Sequence, residues 1–322
     1  MTQDTLIQVE HLSRHYGPTV AVKNIQFELK RGEVVGFLGP NGAGKSTSMQ
    51  MLTGNLAPTT GSIKICGIDL LEKPKQAKAN IGYLPEQPPV YKELTVDEYL
   101  RFCARIHGVK KDAVAAAMES AKQRCGLSNV GRRLIGNLSK GYQQRVGIAQ
   151  AIIHSPAIIV LDEPTVGLDP IQIREIRTLI RELGQEHGVI LSTHILPEAQ
   201  MTCDRVQIIR SGELVYEDTM EALAQQFQGS CVIIGLGQEI SADKIKSLPE
   251  VNSIEQLTSK RWRLLFNEDC EPIQEVAQQI VDNGWGLTEL VPEQKSLEQI
   301  FVNITTSETD VTEFEKSTEA SA

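Results

Sequence analysis

The sequence predicts an α/β protein with a parallel β-sheet that carries a phosphate-binding loop, a helical insert, and a small carboxy-terminal α+β domain. Three observations predict this fold. A glycine-rich loop follows an apolar run within residues 34–47. Apolar strands and helical patterns alternate between residues 157 and 202, as in the βα units of a parallel sheet. A separate order of short strands and helices fills residues 230–304.

The first strands precede the loop. Residues 6–10 and 20–30 predict two strands, the second with alternating apolar and polar side chains, and Tyr16-Gly17-Pro18 between them predicts a turn. The apolar run at 34–38 predicts a buried strand. This strand ends where the glycine-rich loop begins, which is the order that a phosphate-binding loop requires.

The loop has the complete P-loop pattern. Its glycines let successive backbone N–H groups point at one anion, and the helix predicted to begin near Lys45 adds the positive end of its dipole. In this pattern Lys45 reaches the β- and γ-phosphates, and the Ser46 hydroxyl is a Mg²⁺ ligand. The loop therefore predicts a nucleotide site formed by Gly39, Pro40, Asn41, Gly42, Ala43, Gly44, Lys45, Ser46 and Thr47.

A mostly helical insert covers about residues 90–150. Two stretches, 95–107 and 111–125, have apolar residues spaced by three and four, and Thr95 and Asp112 are placed as their N-caps. The insert follows two short strand candidates at 61–65 and 81–84.

Two adjacent carboxylates end the next buried strand. The apolar run at 157–161 predicts this strand, and Asp162 and Glu163 follow it. Because side chains alternate sides along a strand, the two carboxylates face different volumes. Asp162 can approach the Mg²⁺ shell, whereas Glu163 can take the proton from an attacking water as a general base.

The domain organisation follows from the element order. A helix at 170–185, a strand at 189–192 and a further helix complete a nucleotide-binding domain at residues 1–225. Residues 226–306 have the order βαββαβ, closed by a helix at 296–304, which suggests a ferredoxin-like accessory domain. Its Trp262 and Trp285 are expected to be core or dimer-contact residues. The acidic segment 307–322 is expected to be disordered.

Composition excludes several function classes. A net charge of −9 argues against a nucleic-acid face, because phosphate backbones are bound by clustered Lys and Arg. No run of eighteen apolar residues and no basic-then-apolar amino terminus occurs, so we expect neither a membrane span nor export. The six cysteines form no Cys-x-x-Cys pair, which fits structural residues in a reducing cytosol.

Five motifs in order resemble those of ATP-binding-cassette (ABC) ATPases over residues 5–220. The segment Leu138-Ser139-Lys140-Gly141-Tyr142-Gln143-Gln144-Arg145 is similar to the family signature and lies just before the acidic strand. The other four are the P-loop, Asp162-Glu163-Pro164, Gly167-Leu168-Asp169-Pro170 and Ser192-Thr193-His194. The nearest resemblance is to the ATP-binding subunits of ABC-2 export systems, whose subgroups include drug, polysaccharide, copper-linked and gliding-associated transporters.

The resemblance implies roles for single residues. Tyr16 corresponds to the aromatic residue that stacks on adenine, or is an ordinary turn tyrosine. His194 corresponds to the switch histidine that contacts the γ-phosphate and orients the attacking water, so that Lys45, Glu163 and His194 form the catalytic set. Asp169 corresponds to the aspartate that communicates across a dimer, and it is also placed as a helix N-cap before Pro170.

The signature segment implies a second subunit. In the family, Ser139 and Gly141 bind the nucleotide held by the opposite subunit, so two ATP molecules lie between two ATPase subunits. Ser139 offers its hydroxyl, and the helix predicted at 139–153 offers its first N–H groups to the γ-phosphate. The second subunit is either an identical copy or a related chain.

Two positions depart from the common family pattern. The signature has Lys140 where a second glycine is usual and Tyr142 where glutamine is usual. In the loop after strand 81–84, Glu86 stands where the family places a glutamine that touches Mg²⁺ and the attacking water, and Gln87 follows it. Either Glu86 adds a carboxylate to the metal shell, or a local shift lets Gln87 serve.

The resemblance implies a peripheral ATPase on the cytoplasmic face of the membrane, using ATP and Mg²⁺ to drive a separate ABC-2 type permease. The segment 85–102 is where such a permease docks, and Tyr91, Leu94 and Tyr99 are expected to line a groove or a plain packing face. The alternative functions are a soluble ABC-class ATPase of DNA repair or translation and a nucleotide-sensing regulator. The sequence does not predict the transported substrate.

Overall fold

The computed structural model describes residues 5–226, 231–266, 273–293 and 301. The chain divides into two compact units, with the boundary between Met220 and Glu221. The first unit contains both sheets that surround the predicted nucleotide site, and the second unit has its own sheet and core.

The described residues of the first unit form ten strands. They are β1 (Thr5–Tyr16), β2 (Thr19–Lys30), β3 (Val34–Leu38), β4 (Thr60–Ile65), β5 (Ile68–Asp69), β6 (Ile81–Leu84), β7 (Ile158–Asp162), β8 (Gly188–Thr193), β9 (Arg205–Arg210) and β10 (Glu213–Thr219). β1 and β2 are longer than the sequence predicts, and their antiparallel pairing contains several irregular steps in register.

Helices connect these strands. They are α1 (Lys45–Leu52), α2 (Pro74–Lys78), α3 (Val96–Ile106), α4 (Val114–Arg124), α5 (Lys140–Ile152), α6 (Pro170–Gly184) and α7 (Leu196–Thr202), and a 3-10 turn, Ile135–Asn137, precedes α5. Every helix predicted in this part of the sequence is present within a few residues.

The central sheet has the strand order β10-β9-β3-β8-β7-β6. Strands β9, β3, β8, β7 and β6 run parallel, and β10 pairs antiparallel with β9 at one edge. All side chains of β3, β7 and β8 are buried, as expected for parallel strands covered on both faces. A second, antiparallel sheet has the order β2-β1-β4-β5, and Phe27 from it contacts Phe37 of β3 with ring centroids 5.8 Å apart.

The helical insert confirms one predicted cap and corrects the other. Thr95 caps α3 through a capping box in which its hydroxyl accepts from the Glu98 N–H and its own N–H donates to the Glu98 carboxylate. Asp112 is not a cap: α4 begins at Val114, its N-cap is Ala113, and no side chain caps it. A preceding turn, in which the N–H groups of Ala113 and Val114 both donate to the Lys110 carbonyl, delays the start of the helix.

The second unit contains α8 (Met220–Gln226), which begins at its boundary, β11 (Cys231–Leu236), α9 (Ala242–Lys246), β12 (Val251–Thr258), β13 (Arg261–Phe266), α10 (Ile273–Asp282) and β14 (Leu287–Glu293). From β11 onward the order is βαββαβ, and the antiparallel strands lie in the order β12-β13-β11-β14. Trp262 and Trp285 are both buried in this core. The helix predicted at 296–304 and the tail at 307–322 lie outside the described residues, apart from Phe301.

Two further predictions concern cysteines and membrane spans. The five cysteines within the described part of the chain, Cys66, Cys103, Cys125, Cys203 and Cys231, are not in disulfides. None of the helices in the described ranges combines the length and the apolar composition needed to cross a bilayer.

Candidate functional site

Three segments with polar side chains meet at one edge of the central sheet. β3, β7 and β8 are parallel neighbours, and the P-loop, Glu163 and His194 each follow the carboxyl end of one of them. The register pairs Leu38 with Thr193 and Asp162 with Ser192, so the three strands end at the same level. The central sheet therefore brings together the phosphate loop, the carboxylate pair and the histidine that the sequence predicts for one site.

The P-loop has the backbone conformation that a phosphate cradle needs. Gly44 is the N-cap of α1 with φ of 106°, and a Cβ there would lie 2.5 Å from the Ala21 carbonyl oxygen, so glycine is required. The first N–H groups of α1 have no acceptor within the helix and are available to an anion. Lys45 Nζ donates to the carbonyls of Gly39 at 2.8 Å and Pro40 at 3.2 Å, which holds the cation inside the loop.

A cleft of about 420 Å³ opens above this loop. It brings together six of the nine predicted loop residues with Glu86, Glu163 and His194, whereas Gly39, Pro40, Ala43, Asp162 and Gln87 are not among the described residues that line it. The lining residues are Ala21, Asn41, Gly42, Gly44, Lys45, Ser46, Thr47, Glu86, Glu163, Val166 and His194. The cleft is therefore polar, with a lysine, two carboxylates and a histidine around a nest of backbone N–H groups.

Glu163 lies between the predicted lysine and the predicted histidine. His194 Nδ1 is 3.0 and 2.9 Å from the two Glu163 carboxylate oxygens, and Lys45 Nζ is 3.5 Å from Glu163 Oε1. Glu163 has a left-handed backbone with φ of 49°, and its N–H donates to the Ser192 carbonyl at 3.0 Å. With this conformation the buried carboxylate of Glu163 lines the cleft, which is the position that a general base requires.

Asp162, Ser46 and Glu86 form a set of oxygen donors. Ser46 Oγ lies 3.5 Å from Asp162 Oδ1. Burial is the main reason that the pKa of Asp162 is raised; hydrogen bonds from Ser192 and Ser46 oppose this effect, and the charge of Glu86 adds to it. A hydroxyl and two carboxylates are the ligands that Mg²⁺ prefers, and a cation beside Asp162 would offset the cost of its buried charge. The residues present therefore fit the predicted metal.

Three further predicted nucleotide contacts, outside the P-loop and the carboxylate pair, also do not line the cleft. Tyr16 ends β1 with 47% of its surface exposed, and the Arg14 guanidinium covers its ring at 4.7 Å from the centroid. Ser139 is the N-cap of α5, where its hydroxyl accepts from the Tyr142 N–H. Gly141, in the first turn of α5, is buried against α6. None of the three lines the cleft in the same chain.

The signature segment packs closely on the loop that follows Glu163. A Cβ on Gly141 would overlap the Gln172 carboxamide, and a Cβ on Gly167 would overlap the Lys140 ammonium group. Asp169 caps α6, accepting from the N–H groups of Ile171 at 3.0 Å and Gln172 at 2.9 Å, which confirms its predicted N-cap role. The signature helix α5 and the start of α6 are thus held side by side.

The sequence analysis missed a buried carboxylate behind the site. Glu198 of α7 is 2% exposed and binds the hydroxyls of Thr165 and Thr193. Thr193 was identified only as part of the motif with His194, and Thr165 and Glu198 were not identified at all. The available signal is the position of Glu198, an acidic residue in the first turn of the short helix that directly follows the segment with His194.

Comparisons with known proteins agree with this geometry. The sequence pattern of the ABC transporter family matches residues 22–166. The uncharacterized ABC transporter ATP-binding protein YxlF of Bacillus subtilis is 32% identical over 300 residues, covering 93% of this chain and 99% of the relative. This chain belongs to the ABC transporter ATP-binding proteins. The resemblance predicted from the five motifs is confirmed.

Two further likenesses support the assignment. The bacitracin transport ATP-binding protein BcrA of Bacillus licheniformis is 39% identical over 225 residues, covering 69% of this chain and 72% of the relative. The solved dimeric structure of a bacterial ABC transporter cassette matches with a TM-score of 0.61 and 26% identity, covering 67% of this chain and 99% of that one. The ABC cassette fold and the function as an ATP-hydrolysing transporter subunit are confirmed, and the two alternative functions find no support.

Proposed function

We propose that this ATP-binding subunit works in an ABC-2 type exporter, where it pairs with a second ATPase subunit and drives a separate membrane permease from the cytoplasmic face. The observation that carries the proposal is the arrangement of the nucleotide groups. The cleft holds the loop, Glu163 and His194, while Ser139 and Gly141 lie outside it on α5. A site lacking its signature residues is completed by the α5 of a second subunit.

The residues of the cleft supply the hydrolytic chemistry. The P-loop amides and Lys45 bind the β- and γ-phosphates, and Ser46, Asp162 and Glu86 hold Mg²⁺. When bound, Mg²⁺ neutralises charge on the phosphate oxygens. Glu163 accepts the proton of the attacking water, and His194, whose Nδ1 lies 2.9 Å from the carboxylate, orients it. On this proposal Glu86, which lines the cleft, rather than Gln87 takes the metal-facing position.

Two surface features receive proposed roles. Tyr16, exposed at the end of β1, stacks on the adenine ring. Tyr91 and Phe102, 51% and 42% exposed with ring centroids 5.6 Å apart, form an aromatic pair on the helical insert that contacts the permease. Tyr99, expected to line the same groove, is buried and donates to the Pro89 carbonyl, so it supports this surface from beneath.

The second unit is proposed to be a ferredoxin-like accessory domain. Its support is the βαββαβ order and the antiparallel strand order β12-β13-β11-β14, in which the first and third strands are central. The match with YxlF covers 99% of that protein and 93% of this chain, so this relative has a similar length. The domain boundaries proposed are residues 1–225 and 226–306, with an acidic tail at 307–322.

The export proposal is tested by isolating the tagged chain from gently solubilised native membranes and identifying its companions by mass spectrometry. We expect one multi-span membrane protein. The double variant Tyr91→Ala/Phe102→Ala should lose this companion and keep ATP hydrolysis, whereas Leu71→Ala, which removes an exposed apolar side chain elsewhere, should keep both. Recovery of the wild-type chain without a membrane protein, or with ribosomes or DNA, would contradict the proposal.

A further inference from the structure

Glu198 is a buried carboxylate that contacts two of the loops forming the ATP site. Its carboxylate oxygens lie 2.7 Å from the Thr165 hydroxyl, and one of them lies 3.0 Å from the Thr193 hydroxyl. All three side chains are at least 95% buried. Arg177 of α6 approaches one oxygen at 3.8 Å. The segment after β7, the end of β8, and helices α6 and α7 therefore meet at the Glu198 side chain.

A carboxylate in this position is costly without partners. Removing an ionised group from water is unfavourable unless hydrogen bonds and an opposite charge replace the lost hydration. Here two hydroxyl donors and a guanidinium supply them. Because each hydroxyl loses an acceptor if it moves away, the carboxylate holds both threonines in fixed positions.

Each threonine fixes a segment that carries a catalytic group. Thr193 immediately precedes His194, and its hydroxyl also accepts from the Ile195 N–H at 3.1 Å, so the turn at His194 is bonded at both ends. Thr165 lies two residues after Glu163, whose left-handed backbone accepts the Val166 N–H at 3.3 Å. Glu198 thus contacts the segments on both sides of the pair formed by His194 and Glu163.

We infer that Glu198 is a positioning residue for ATP hydrolysis: by binding Thr165 and Thr193 it holds Glu163 and His194 in register across the cleft. It is buried on α7 and is not among the described residues that line the cleft, so it acts on the nucleotide site only through other residues. Its effect passes through the 2.9 Å contact between His194 Nδ1 and Glu163. A general base displaced by about 1 Å loses about a hundredfold in rate, so this distance controls turnover.

The test is a set of threonine substitutions with ATP hydrolysis measured on the full chain. Thr165→Val and Thr193→Val keep the side-chain shape and remove the hydroxyl, and each should lower kcat by about tenfold with KM for ATP changed less than about twofold. Thr165→Ser and Thr193→Ser restore the hydroxyl and should recover most of the rate. Glu198→Gln keeps the volume and should lower kcat to a similar extent.

Thr202→Val is the matched control. Thr202 is buried on the same helix, α7, and its hydroxyl has no hydrogen-bond partner in the described part of the chain, so the same substitution should leave kcat unchanged. The double variant Thr165→Val/Thr193→Val should lose less than the product of the two single losses, because both hydroxyls act through one carboxylate.

Hydrogen exchange tests the positioning role of Glu198 independently of whether the chain hydrolyses ATP. In Glu198→Gln the backbone amides of residues 163–169 and 192–196 should exchange faster, while those of α1 stay protected. Unchanged kcat in both valine variants, or a loss that serine does not restore, would overturn the positioning role even if the wild-type chain hydrolyses ATP normally. A fall in the unfolding midpoint of the valine variants with unaltered kcat would also overturn it.

Discussion

Asp162 and Glu163 are neighbours in sequence and differ in environment. Asp162 ends β7 with extended backbone and is bonded by Ser46, whereas Glu163 has a left-handed backbone and faces Lys45 and His194. The peptide geometry at Glu163 turns its side chain away from that of Asp162. The sequence predicts this separation from the alternation of side chains along a strand, but β7 ends at Asp162, so the left-handed backbone of Glu163 separates the two environments. We propose that Asp162 serves the metal and Glu163 the attacking water.

Asp162→Asn should stabilise the protein and abolish turnover. Burial raises the pKa of Asp162 in the folded chain above its unfolded value, so its charged form costs stability at neutral pH, and the cost disappears as the pH falls through the folded pKa. In buffer without Mg²⁺ the variant should unfold at higher temperature than wild type at pH 7, with a smaller difference at pH 4. ATP hydrolysis should fall by about a hundredfold or more.

Thermal melts of both proteins between pH 4 and pH 7 provide the measurement, with turnover measured in parallel. A variant that melts below wild type at pH 7, or a stability difference that grows as the pH falls, would show that the buried charge of Asp162 is favourable in the absence of metal.

The P-loop residues could be predicted from the sequence because the whole cradle is contiguous, and its chemistry depends on backbone N–H groups. The carboxylates could be predicted because they come at the end of an apolar strand, whereas His194, which follows β8, could be predicted through the resemblance to the family's switch histidine. Glu198 could not, because its partner Thr165 is 33 residues away and nothing in a single sequence marks a threonine as buried. The pattern of a single sequence does not show which polar side chains make long-range contacts.

Among the elements, local patterns predicted most helices and strands but missed the short β5, α2 and α8 as well as β9 and β10. Both strands follow α7, with β9 at Arg205–Arg210 and β10 at Glu213–Thr219. β9 pairs with β3, the strand that precedes the P-loop. β10 lies at the sheet edge and none of its residues is buried, so it lacks a strong apolar alternation. Its pairing with β9 comes from tertiary context, which overrides weak local preference.

The caps of the helical insert give a direct comparison. Thr95→Ala removes a hydroxyl that accepts the Glu98 N–H and should cost about 1 kcal/mol of unfolding free energy. Asp112→Ala removes a side chain that caps nothing and should change stability by less than about 0.5 kcal/mol. Urea unfolding of both variants measures the difference, and equal losses would mean that Asp112 does cap α4.

At the scale of the whole molecule, the two units have separate buried cores, and both tryptophans of the chain, Trp262 and Trp285, lie in the second core. Tryptophan fluorescence therefore reports on that core. The sequence predicts the order of strands and helices along the chain, βαββαβ, because that order follows from local patterns. The pairing of β11 with both β13 and β14 joins segments that are distant in sequence, and local patterns do not show it.

Nucleotide should stabilise the two units differently. With ATP and Mg²⁺ at a hundred times the dissociation constant, the unit that binds them gains about 2.7 kcal/mol. The urea transition seen by far-UV circular dichroism should shift, and that seen by tryptophan fluorescence should not. Identical shifts in both signals would show that the chain unfolds as one cooperative unit.

We propose that this subunit closes on ATP with an identical copy or a related chain and that turnover needs Glu163. The most direct measurement is light scattering of purified Glu163→Gln with Mg²⁺ and ATP. We expect twice the monomer mass with ATP retained and hydrolysis lowered by at least about a hundredfold, while Lys45→Ala stays monomeric. A Glu163→Gln chain that binds ATP, stays monomeric and hydrolyses it at the wild-type rate would show that neither ATP-driven pairing nor the general-base role holds.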